Sequence, residues 1–399
     1  MREMKDSGIE WAGVIPNTWN INKGKYFMEL LTRPTLETDE VITCFRDGEV
    51  TLRSKRREEG FTVSLTEAGY QGIEIGDLVV HGMDGFAGSI GISDSRGKAT
   101  PVLNVLDTEQ NKRYMMYLMR TMAYCELFLS LATGIRVRTC DTNWKKLREI
   151  DYILPTIPEQ KAIADFLDEQ CAEIDSLISD IQSQIEALEE YKRSVITEAV
   201  TKGLDPDVEM RDSGVQWIGM MPTHWDCQRG KYLLRYVQKP VRDDDGVITC
   251  FRDGEVTLRS NRREEGFTMA DKEIGYQGID VGDLVVHGMD GFAGSIGISD
   301  SKGKASPVLN VLDTEQNKRY IMYYLRSMAY NDVFVALATG IRVRSCDLRW
   351  NKLAELLYPM PPVEEQQAIV EHIDSVLERT NAIIADKKQQ IETDRKSVV

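Results

Sequence analysis

From Gln160 to Lys202 the chain contains neither proline nor glycine, and its apolar positions keep helical time. Ile174, Ile181, Leu188 and Val195 recur every seven residues; Leu177, Gln184 and Tyr191 offer a weaker second row, and Ile178, Ile185 and Ala199 broaden the seam. This spacing predicts an amphipathic helix of about 40 residues, on the order of 60 Å long. A second stretch follows "PPVEEQ" and carries Ile369, Ile373, Leu377, Ile383, Ile384 and Ile391. A long helix with one apolar stripe needs a partner. The simplest arrangement packs the two antiparallel, with Ile174, Ile181 and Leu188 on one helix and Ile373, Leu377 and Ile384 on the other. Dimerisation through the same stripe is the alternative.

The pattern before each helix is different. Residues 17–155 alternate short apolar runs with Gly, Asp and Asn turns: "VITCF", "RDGE", "EVTLRS", "GDLVVHGMDG", "GSIGIS", "PVLNVL". Such runs predict short strands, and "RDGE" between two of them predicts a hairpin. "KRYMMYLMRTMAYCELFLSLA" from Lys112 is the one clear helix within this part. The fold class expected is α+β, mostly strands around a small core with helices at one side.

The whole pattern then repeats at an offset of 206 without insertion. "VITCFRDGEVTLRSKRREEGF" at Val41 returns as "VITCFRDGEVTLRSNRREEGF" at Val247, with Lys55 against Asn261 the only change before the final Phe. "GDLVVHGMDGFAGSIGISDSRGK" at Gly76 returns at Gly282 with Arg96 replaced by Lys302. "SGIEWAGVIP" becomes "SGVQWIGMMP", "ATGIRVRTC" becomes "ATGIRVRSC", and "PEQKAI" becomes "EEQQAI". The domain organisation expected is an N-terminal unit over 1–158, a helix over 159–202, a second unit over 203–361 and a helix over 362–399.

The 399 residues, 42% of them hydrophobic, suffice for two such cores. No apolar run approaches the length of a membrane span, no signal peptide is evident, and the seven cysteines form no C-x-x-C pair, so a reduced cytoplasmic protein is expected. The formal net charge of -15 argues against a simply basic nucleic-acid binder. Its distribution changes that picture. Residues 159–200 hold eleven acids and three bases, and residues 364–399 hold eight acids and five bases. The helices therefore carry most of the negative charge, and the globular units are close to neutral with clustered bases.

The clusters are the candidate chemistry. The hairpin carries Arg46, Arg53, Lys55, Arg56 and Arg57, copied as Arg252, Arg259, Arg262 and Arg263. "TGIRVR" adds Arg136 and Arg138, copied as Arg342 and Arg344. Arginine reads guanine O6 and N7 and clamps phosphates, and a two-stranded ribbon rimmed with it fits a major groove. Glu58 and Glu59 favour the competing reading of salt bridges on a solvated face. "HGMDGFAGSIG" places His81 near Asp84 and His287 near Asp290. That pairing suits acid–base chemistry, yet no nucleophile signature, phosphate loop or zinc spacing accompanies it, and a base-contacting or structural loop is the better reading. No metal site is expected.

"PEQKAIADFLDEQCAEIDSLI", "EEYKRSVITEAVTKGLDPDVEMRDSGVQWIGMMPTHWD" and "PPVEEQQAIVEHIDSVL" together resemble the DNA-specificity subunits of Type I restriction–modification systems over essentially the whole chain. The resemblance implies two target-recognition domains, here about 17–155 and 223–361, joined by antiparallel helices with pseudo-twofold symmetry. It implies a non-catalytic subunit that binds double-stranded DNA, holds two modification subunits and joins restriction subunits. S-adenosylmethionine, ATP and magnesium would reside on those partners, leaving no cofactor here. Recognition domains of the family commonly differ within a chain. Two near-identical ones imply one word read on opposite strands, an interrupted palindrome, and Lys55/Asn261 is then a position expected to meet phosphate or water. The readings outside this class are a two-unit protein scaffold and an enzyme working through His81 and Asp84.

Overall fold

The computed structural model describes residues 3–56, 68–130, 142–262, 274–337 and 348–397. The chain divides into two compact units, Met1–Ser179 with Ile391–Val399, and Asp180–Gln390. Each long helix contributes to both.

In the first unit an antiparallel sheet orders its strands Met28–Leu30, Leu103–Thr108, Leu78–His81, Ile90–Ile92. The central run "LVV" is unbroken because both faces of the sheet are covered. Leu78 and Val80 pack with Met115, Met119 and Met122 of the helix Lys112–Tyr124. Val79 and Val105 face the other way, into Ile42, Cys44, Val50 and Ile73. The helix starts where Asn111 Oδ1 accepts the Tyr114 N–H (3.0 Å). The second unit repeats this order with Leu234–Tyr236, Leu309–Thr314, Leu284–His287 and Ile296–Ile298, and the helix Lys318–Tyr330 covers it.

The long helices are Ile157–Lys202 and Val363–Ser397. At the start of the first, the Glu159 carboxylate reaches back to accept from the Thr156 hydroxyl (3.0 Å) and from its N–H (3.3 Å), which is the acidic half of a capping box. Within the second unit the helices pack together and run antiparallel. Lys387 Nζ donates to Gln184 Oε1 (2.5 Å), while Glu365 lies beside Gly203. Ile196, Ala199 and Val200 share one core with Ile369, Val370 and Ile373. Of the residues expected in the seam, Ile181, Ile373 and Ile384 are buried, and Ile174, Leu188 and Leu377 are half-buried. The weaker row does not join it, since Leu177 and Tyr191 are exposed. By the end of the helix the buried position has moved from the Val195 row to Ile196. A straight helix drifts about 20° per heptad, which accounts for the shift.

Each helix is tied to the domain before it by one buried glutamine. Gln160 Oε1 accepts the Asn111 N–H (2.9 Å), and its amide donates to Gln110 Oε1 (2.7 Å) and the Pro155 carbonyl (2.9 Å). Gln366 makes the same three bonds to Asn317, Gln316 and Pro361. Some helix acids also serve inward: Arg113 pairs with Asp165 and Asp168, and Arg319 with Asp374. No helix among the described residues is long and apolar enough to cross a membrane.

Candidate nucleic-acid interface

The hairpin forms as the sequence predicts. Ile42–Cys44 pairs antiparallel with Val50–Leu52, and Ile248–Cys250 pairs with Val256–Leu258. Ile42, Cys44 and Val50 are buried, so the strands cannot register otherwise without exposing them. At the turn Gly48 takes φ +84°, a conformation glycine adopts without Cβ strain. Glu49 N–H bonds the Asp47 carboxylate (3.1 Å), and Phe45 N–H reaches back to the Glu49 carbonyl (2.8 Å).

The glycine loop stands against this turn. A Cβ on Gly91 would overlap the Gly48 carbonyl, and Gly297 stands in the same relation to Gly254. Arg120 lies over Gly48 and donates Nε to the Ile90 carbonyl (2.8 Å); Arg326 does the same to Ile296 (2.8 Å) and reaches the Asp253 carbonyl (3.0 Å). These two arginines pin hairpin to sheet. Their signal in the sequence is a single arginine interrupting the apolar face of "YMMYLMRTMAY".

The basic residues divide by environment. Arg46 is largely exposed and meets Asp84 Oδ1 at 3.0 Å; Arg252 meets Asp290 Oδ1 at 3.4 Å. Arg53 and Arg259 turn back on the hairpin, donating Nε to Thr43 (3.2 Å) and Thr249 (3.3 Å). Arg56 pairs with Asp47 and Glu49 and stacks over the Phe45 ring at 4.2 Å. Arg262 repeats this with Asp253, Glu255 and Phe251, also at 4.2 Å. The ribbon rim expected for this whole basic run is thus corrected. Residues Arg53–Arg56 and Arg259–Asn261 form helical turns that follow the strand, because bonds to the hairpin threonines and acids fold the chain back. The acids of the turn, Asp47 and Glu49, take Arg56. Arg57, Arg136, Arg138, Arg263, Arg342 and Arg344, with Glu58 and Glu59, lie outside the described residues.

Where the copies differ, the local bonding differs. Lys55 Nζ donates to Ser95 Oγ (2.7 Å) and Asp94 Oδ2 (3.2 Å), whereas Asn261 Nδ2 donates to Thr257 Oγ1 (2.8 Å). The side chain of Lys55 remains half exposed.

His81 sits at the end of its strand with Nδ1 accepting the N–H groups of Met83 (3.2 Å) and Asp84 (3.0 Å). His287 repeats both bonds. With Nδ1 so occupied, the neutral ring carries its proton on Nε2 and presents a donor there. Burial lowers the pKa of both histidines; Asp84 and Asp290 oppose the shift and Arg46 and Arg252 add to it. Burial pushes the thiols of Cys44 and Cys250 up to about 12, which leaves them protonated packing groups. For Asp47, burial would raise the pKa, but the bond from Arg56 and the turn N–H outweigh it and lower it. In the second unit Arg252, Arg262, His287, Asp290 and Ser295 line an open concavity of about 680 Å³. No cluster of His, Cys, Asp and Glu among the described residues could hold a metal ion.

Fold and site together define a two-unit protein in which each mixed α/β domain presents the same basic hairpin beside the same histidine loop. No protein-family model matches the chain. The chain resembles Type I restriction–modification specificity subunits in sequence. It is 26% identical over 316 residues to the Type I restriction enzyme MjaVIII specificity subunit of Methanocaldococcus jannaschii, covering 73% of this chain and 70% of that protein. It is 24% identical over 315 residues to a protein of the same organism assigned as the MjaX specificity subunit, covering 74% and 69%. In fold it matches a chain solved for the complex assembly and conformational transition of the type I R-M system, with TM-score 0.67, 11% identity and 96% of each chain covered.

Proposed function

We propose that the chain is the DNA-specificity subunit of a Type I restriction–modification complex. It is non-catalytic and directs adenine methylation and restriction, carried out by two modification subunits and by restriction subunits, to a bipartite target. Each unit reads one half-site with its hairpin and histidine loop. The observation that carries this reading is the repetition, in both units, of exposed Arg46 and Arg252 beside a histidine whose Nδ1 is held by loop N–H groups, so that Nε2 carries the proton. Resemblance in sequence to two specificity subunits supports it.

Because the hairpin and loop are nearly identical in the two copies, the half-sites are the same word on opposite strands. Selection of bound duplexes from a random library by the chain together with its modification subunits tests this, followed by mapping of methylated adenines in a host genome. An interrupted palindrome is the expected result. Two unrelated half-sites would overturn the palindrome, and binding without sequence preference would overturn the function.

A further inference from the structure

Asp84 and Asp290 hold carboxylates that are only loosely engaged: each meets one exposed arginine through Oδ1, and Asp290 Oδ2 stands 3.9 Å from His287 Nε2. Each is the N-cap residue of a short 3-10 turn, Gly85–Ala87 and Gly291–Ala293, and neither side chain makes the capping bond that an aspartate there ordinarily makes. Arg46 engages only Oδ1 of Asp84, and no bond among the described residues reaches Oδ2. The Arg46–Asp84 and Arg252–Asp290 pairs are solvent-exposed at 3.0 and 3.4 Å, a class of ion pair that adds little to stability. Beside them Ser89 Oγ and Ser295 Oγ are buried without a hydrogen-bond partner, and Ser295 lines the concavity shared with Asp290 and His287.

On a surface that meets phosphates, a carboxylate is unfavourable unless it faces a donor. In the major groove the donors are the exocyclic amines, cytosine N4 and adenine N6. We infer that Asp84 and Asp290 are specificity-determining residues, each accepting a hydrogen bond from an exocyclic base amine while the adjacent Arg46 or Arg252 donates to a neighbouring acceptor. This inference rests on the DNA-reading function proposed above. The arginine and aspartate then form one donor–acceptor edge: the arginine supplies attraction and the aspartate rejects bases that present only acceptors.

The experiment uses the chain in complex with its modification subunits and duplexes of the selected target. At each position adenine is replaced by purine, or cytosine by 2-pyrimidinone, which deletes the amine alone. For the unaltered protein, deletion at one symmetry-related position per half-site weakens binding roughly tenfold. In the Asp84→Ala, Asp290→Ala double variant the same deletion has less than a twofold effect. Asp84→Asn with Asp290→Asn, which keeps an acceptor oxygen, restores part of the discrimination, and circular dichroism confirms that each variant is folded. If both double variants show the unaltered protein's full amine-deletion profile, the aspartates merely orient their arginines and the inference is overturned. An unaltered complex that selects no sequence overturns the DNA-reading function and the inference with it.

Discussion

Gly91 lies against the carbonyl oxygen of Gly48 so closely that no side chain fits between them, and Gly297 and Gly254 repeat the contact. The hairpin tip therefore meets the sheet edge backbone to backbone, beneath the arginines that pin it there. Gly91→Ala and Gly297→Ala force that contact apart, and each is expected to cost about 1–3 kcal/mol through overpacking. Denaturant titration of the single variants measures the loss. Specific binding is expected to fall more steeply than stability, because the hairpin and histidine loop lose their mutual alignment.

Ile373 is fully buried in the core shared by the helices, whereas Ile383 is exposed on the next turns of the same helix. Ile373→Ala is expected to destabilise by about 2–5 kcal/mol. Ile383→Ala is expected to change stability by less than about 0.5 kcal/mol. Thermal or chemical unfolding compared between the two variants checks the register of the seam.

Gln160 is saturated by three bonds to Asn111, Gln110 and Pro155 in a site closed to water. Gln160→Leu strands those polar groups, and a loss of about 1–3 kcal/mol is expected for each group left unpaired. Hydrogen exchange at Asn111 N–H, which Gln160 now protects, reports it directly.

His81 and His287 have folded-state pKa values below the ordinary 6.5 because burial disfavours the charged ring. As pH falls below 6.5 the unfolded chain takes up these protons first. Stability is therefore fully present above 6.5, declines as pH drops through the folded-state pKa, and levels off beneath it. His81→Asn with His287→Asn substitutes a non-titrating acceptor for Nδ1, of the kind used in Asx turns. The double variant is expected to flatten this part of the curve in denaturation series from pH 7 to about 5.

Lys55 differs from Asn261 while the residues around it do not. Lys55→Asn is expected to leave the selected half-site unchanged, weaken binding, and reduce the salt slope by about one. A changed base preference would make Lys55 a reader.

Much of this was legible before folding. The absence of Pro and Gly with a seven-residue apolar stripe specified both long helices, since backbone propensity and amphipathicity act locally. The glycines and acids of "RDGE" specified the hairpin turn for the same reason. The path of the basic run after it is not legible locally, because whether Arg53–Arg56 extends the strand or curls into a turn depends on Thr43, Asp47 and Glu49. Those partners meet it only through the strand pairing.

Spacing and composition alone carry the duplication, the long helices, the hairpin strands and the segregation of acid into the helices. Which charges are tied up within the protein follows from packing. It committed Arg113, Arg319, Arg120 and Arg326 to internal bonds and Arg56 and Arg262 to the hairpin turn. Arg46 and Arg252 remained exposed beside their aspartates. A side chain's availability is set by which groups surround it in space, and partners as distant in the chain as Arg46 and Asp84 or Arg113 and Asp165 become neighbours only once strands and helices have packed.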